Sequence, residues 1–61
     1  PLLRETPGLQ TLQEELEELN GAKEEIEYMM QRYGRDAELV RQIGEIERER
    51  SEVLKQLVAM I

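Results

Sequence analysis

The sequence predicts an all-α fold, an antiparallel coiled-coil-like helical hairpin that dimerises into a four-helix bundle. Three observations predict it. Apolar residues recur at alternating spacings of three and four on both sides of a central turn, the mark of helices packing lengthwise. The turn, Tyr33-Gly34-Arg35-Asp36, joins a helix-stopping glycine to a helix-starting acid. Finally, the chain has 61 residues and neither cysteine nor histidine. A chain that short buries too little apolar surface to offset its conformational entropy comfortably. With disulfides and the commonest metal ligands excluded, oligomerisation is the expected source of stability.

Residues 1–8, PLLRETPG, contain both prolines and are expected to form a flexible N-terminal lead-in. Two starts compete for the first helix. Thr6 can cap it with Pro7 at the first helical position, or Thr11 can cap it with Glu14 completing a capping box. Leu9 belongs to the apolar stripe and favours the earlier start.

The first helix is expected over about residues 9–33, on the seam Leu9, Leu12, Leu16, Leu19, Ile26, Met30 and Tyr33, with Lys23 the one interruption. Glutamates fill its other faces. Asn20-Gly21 is a turn-forming pair that costs about 1 kcal/mol inside a helix. The register holds on both sides of it, so one continuous helix is predicted.

Gly34 suits the left-handed position that closes a helix, and Arg32 and Arg35 complement the negative end of its dipole. Asp36 then caps the second helix, with Glu38 adding acid to its first turn. The turn is placed at 34–36, with Gly34 and Asp36 as hinge residues. The second helix, about 37–61, carries the seam Leu39, Ile43, Ile46, Val53, Leu57 and Met60, flanked by Val40, Leu54 and Ile61. Arg50 interrupts it midway. A stripe wider than one seam can serve two neighbours at once. Gly44, beside it, offers a place for close helix approach.

Charge supports the fold-back independently. Folding at the hinge sets Lys55 near Glu15, Arg50 near Glu18 and Leu19, and Glu47 near Lys23. Each exposed pair contributes only a few tenths of a kcal/mol, yet together they agree with the register that the hinge imposes.

The net charge of −6, from 14 acids and 8 bases, repels phosphate backbones and anionic headgroups, so neither nucleic acid nor membrane is expected as a partner. Arg41 and Arg48 are interleaved with Glu45 and Glu52 and make no nucleic-acid stripe. At 39% hydrophobic residues, the chain is too apolar for a disordered tail. No run approaches the roughly 20 apolar residues of a membrane span, and no signal peptide is visible. A cysteine-free chain fits the reducing cytoplasm. Pro1 as first residue fits either a removed initiator methionine or a fragment of a longer chain.

Catalytic resources are thin. Ser51 is the only serine, and no histidine activates it or the threonines. The glycines, at 8, 21, 34 and 44, form no phosphate loop. Glu14, Glu17 and Glu18, or Glu24 and Glu27, could hold a metal only with help that di-iron bundles draw from Glu-x-x-His motifs. A solvated acidic face is the expected role, with no metal and no cofactor. Tyr28, Met29, Met30 and Tyr33 could form an adaptable docking patch; core filling is the expected role of Met30 and Tyr33.

In size and layout the chain resembles the small sporulation-regulatory aspartyl-phosphate phosphatases, short helical hairpins that dock on a phosphorylated response regulator. The resemblance rests on an apolar first helix ending in Tyr33-Gly34, a short loop, and Leu39-Val40 opening the second helix. The family's Ser-Gln-Glu-Leu-Asp signature corresponds here to Ile43-Gly44-Glu45-Ile46-Glu47, without its serine and glutamine. The resemblance implies that Glu45 and Glu47 orient a water against a phosphate held by the partner. Plasmid copy-control hairpins share the architecture too, but they bind RNA through a basic face that this chain lacks.

The function expected from the residues is a non-catalytic interaction or regulatory module. Its partner would be itself, as a homodimer, or a helical partner protein, engaged through the seam residues named above. The alternatives are the response-regulator phosphatase and a dimerisation segment of a larger protein.

Overall fold

A computed structural model of the chain describes residues 7–61. It consists of two helices, α1 (Pro7–Tyr33) and α2 (Ala37–Met60), packed against each other. The predicted hairpin is thus observed. Its extents of 45 × 16 × 12 Å and radius of gyration of 14.2 Å describe a rod, since a compact chain of this length would have a radius near 10–11 Å, roughly.

α1 begins at Pro7, the earlier of the two predicted starts, so Thr11 lies inside the helix. Proline is at home there because the first helical N–H has no partner within the helix. Thr6 and the lead-in up to it lie outside the described residues. Pro7 and Gly8, expected in that lead-in, are helical. The helix runs unbroken through Asn20-Gly21. Packing outweighs local preference here, because the Asn20 side chain is engaged across the hairpin: its Oδ1 accepts from Arg50 Nε at 2.7 Å.

The hinge works as its residues predict. Gly34 has φ +94°, a conformation in which an L side chain is strained. Its N–H donates to Met30 O at 2.9 Å, closing the last turn of α1. Asp36 N–H donates to Gly34 O at 3.0 Å, which tightens the reversal. Asp36 is extended, at φ −72° and ψ 142°, and its side chain accepts the Glu38 N–H at 2.7 Å, satisfying one free donor of α2. α2 ends at Met60, one residue short of the expected boundary, and the Ile61 N–H donates to Val58 O at 3.1 Å.

Three cross-hairpin neighbours report the register. Gly8 lies beside Met60, with 3.5 Å between the Met60 Cε and where a Cβ on Gly8 would stand. Asn20 meets Arg50, and Lys23 Nζ lies 3.3 Å from a Glu47 carboxylate oxygen. The paired residue numbers sum to nearly the same value, as an antiparallel pair folded about residues 34–35 requires.

Only Ile26 and Val53 are buried among the apolar side chains of the described residues, at 7% and 5% exposure, and no charged side chain is buried. The interface between α1 and α2 is therefore a single line of contact. Two helices side by side can cover only one stripe of each other.

Candidate interaction surface

The inner seams assemble largely as their spacing dictates. Ile26 is buried on α1, and Leu9, Leu12, Leu16, Leu19 and Met30 are half-buried around it. Val53 is buried on α2, with Leu39, Ile43, Ile46, Leu57 and Met60 half-buried. Tyr33 departs from the expectation that it fills the core, because it is 74% exposed. The seam ends at Met30. The chain leaves the helical path at Gly34, and no turn of α2 stands opposite Tyr33. Its ring instead lies beneath the Arg32 guanidinium, 5.9 Å from the ring centroid, a cation–π contact.

The flanking residues Val40 and Leu54 lie on the side of α2 that the hairpin covers poorly, Val40 exposed and Leu54 half-buried. Ile61, just past the helix, is almost fully exposed. Val58 belongs with them at 71% exposure. It was not among the seam residues read from the sequence, although it stands four residues after Leu54 and three before Ile61.

The charged residues set into the seams are paired. Lys23, which interrupts the α1 stripe, reaches Glu47, and Arg50, which interrupts that of α2, reaches Asn20. The predicted Lys23–Glu47 pair is thus formed. Arg50 reaches the Asn20 amide, one residue beyond the expected Glu18 and Leu19. Among the described residues no ion pair joins Lys55 to Glu15. Both are long exposed side chains, for which ordering offsets most of the Coulomb gain.

A second polar cluster lies on the outer face of α2. The Arg41 guanidinium contacts Glu38 and lies 2.7 Å from Glu45, and Gln42 Nε2 donates to Glu38 at 3.1 Å. Hydrogen bonds from Arg41 and then Gln42 hold the Glu38 carboxyl below the ordinary glutamate range, and the same pairing raises the Arg41 guanidinium. Because the folded-state value of Glu38 is depressed, its contribution is complete above the unfolded value and is lost as pH falls through the folded one. Acid also changes the repulsion within a chain of net charge −6, so overall stability is a poor readout. Carboxyl NMR is a direct one. Glu38 should titrate below the ordinary glutamate range, and Arg41→Gln should return it towards that range. A Glu38 titration unmoved by Arg41→Gln would show that the pairing is absent in solution.

Glu45 and Glu47 do not converge. Two residues apart on a helix they point about 200° from each other, and each is engaged elsewhere, Glu45 with Arg41 and Glu47 with Lys23. Glu47 lines a shallow open groove near the hinge with Glu27, Met30, Gln31, Arg35 and Ile43, and Glu45 does not. Ser51 is exposed. Among the described residues no three acidic, histidine or cysteine side chains gather as a metal-holding group. Among the described residues no helix is long and apolar enough to cross a membrane.

What this arrangement offers chemically is a surface. The α2 stripe is wider than α1 can cover, edged by ordered charge and open along one side. Compared with protein families, curated proteins and solved structures, the chain matches none.

Proposed function

We propose that the chain is a non-catalytic helix–helix interaction module of the cytoplasm, with a regulatory or scaffolding role, whose fold is completed by helices from a second copy or another protein. One observation carries this reading: of two helices rich in apolar residues, the hairpin buries only Ile26 and Val53. A chain of this size needs more burial than that to hold its fold, and an apolar strip left open on a small protein marks a contact surface.

The test is assembly and helicity measured together. Sedimentation and far-UV circular dichroism of the purified chain should show helical content that falls on dilution, or is low until a partner is added. Any concentration-dependent rise in mass should accompany the gain in helix, because folding and association are linked. A monomer that stays fully helical and unfolds cooperatively at low micromolar concentration needs no further helices, and that result would remove the reading.

A further inference from the structure

α2 carries a second seam, displaced by one residue from the first. Val40, Gly44, Glu47, Ser51, Leu54, Val58 and Ile61 recur at spacings of four and three. A one-residue offset turns this line about 100° round the helix from the seam that meets α1, close to the angle between the two neighbours of a helix in a four-helix bundle. Three of its four apolar members are exposed, Val40 at 40%, Val58 at 71% and Ile61 at 96%, and the fourth, Leu54, is half-buried. A Cβ on Gly44 would meet nothing within 4 Å, so the gap that this glycine leaves is not filled by α1.

Charge says what covers it. One residue further round stand Arg41, Arg48 and Lys55, bases at heptad spacing along the outer edge of the second seam, with Glu45 and Glu52 on the face beyond them. Arg41 is held by Glu38 and Glu45. Arg48 and Lys55 form no ion pair among the described residues. A second copy of α2 is a poor occupant. In an antiparallel pair of these seams the three bases of one helix face those of the other. In a parallel pair they face Ile43, Arg50 and Leu57, none of them acidic. The exposed face of α1 that could be offered instead is studded with glutamates and has no second apolar line.

We infer that the second seam of α2 docks an amphipathic helix of another protein, apolar along the contact and acidic along the edge that meets Arg48 and Lys55. The inference rests on the interaction-module reading and names its partner's chemistry. Interfacial charge of this kind acts mainly by selecting partner and orientation.

The test uses two synthetic helices of about three heptads with a leucine seam, one bearing glutamate along one edge and its twin bearing lysine there. Binding of each to the full chain is followed by fluorescence anisotropy at low and high salt. The glutamate-edged helix should bind roughly tenfold more tightly than its twin, and the difference should shrink at high salt. Arg48→Glu with Lys55→Glu should invert the preference. Val40→Gln with Val58→Gln, neutral changes at exposed positions, should abolish binding while leaving the circular dichroism spectrum unchanged.

Equal binding of the two helices, or binding indifferent to the Val40 and Val58 changes, would overturn the inference. So would self-association of the chain that disappears with Val40→Gln and Val58→Gln, since a second copy would then be the occupant. A chain that assembles with itself through other residues and binds neither helix would sink this inference and leave the module reading standing. A folded monomer that binds neither would sink both.

Discussion

Ile26→Ala should destabilise the hairpin by about 2 kcal/mol and remove most of its helical signal at room temperature. Core truncations of this kind span roughly 2–5 kcal/mol, and a thinly covered site belongs at the lower end because neighbours can settle into the gap. Ile26 and Val53 are nevertheless the two apolar side chains of the described residues that the hairpin buries. In a domain of such modest stability a loss of that size shifts the folded-to-unfolded ratio by a factor of roughly 30. Chemical or thermal unfolding followed by circular dichroism measures it. Val58→Ala is the control, because Val58 is 71% exposed and surface changes usually stay within about 0.5 kcal/mol. Equal effects at the two positions would mean that the seam containing Ile26 is not the one the chain uses.

At Gly34 the handedness of a single alanine should decide the sign of the effect. L-Ala there should cost about 1–2 kcal/mol, because φ is +94° and a β-carbon of that hand is strained in the left-handed region. A D-Ala should stabilise by about 0.4–1 kcal/mol, because it fits positive φ and restricts the unfolded chain. For the L form, sterics beyond the backbone do not intervene, since its Cβ at Gly34 would meet nothing within 4 Å. Total synthesis makes both forms of a 61-residue chain accessible. Equal stabilities for the two forms would show that the reversal is not built on Gly34 in solution. Bulkier Gly34→Leu should loosen or straighten the hairpin, visible as a change in size and helicity.

Much of this structure was legible because its signals are local or periodic. Gly34 and Asp36 mark the turn by conformational preference alone, and both act as that preference dictates. The heptad spacing identified which face of each helix turns inward, from Leu9 to Met30 and from Leu39 to Met60. The Lys23–Glu47 pair followed from the hinge position by counting. Tyr33 did not follow, because it keeps the seam's spacing at a point where the chain is already leaving the helix. Periodicity has no knowledge of where the opposite helix begins. Val58 escaped although Val40, Leu54 and Ile61 beside it were read as flanking the seam, because Ser51 and Gly44, one and two heptads before it, give its position no apolar signal.

Gly44 shows the same division. Its small size was legible as room for close approach, but α1 does not fill that room. Glu45 and Glu47 keep the acidic character that the phosphatase resemblance draws on. Helical geometry then turns them to different faces, and Arg41 and Lys23 engage them separately.

Residue preferences and the helical repeat were enough to set the class of fold, the position of the reversal and the inner face of each helix. How little that inner face buries, that Asn20 holds Arg50 rather than breaking α1, and that one side of α2 is left open emerged with the packed hairpin. Those outcomes depend on which side chains meet across the hairpin, and two helices have only one line along which to meet.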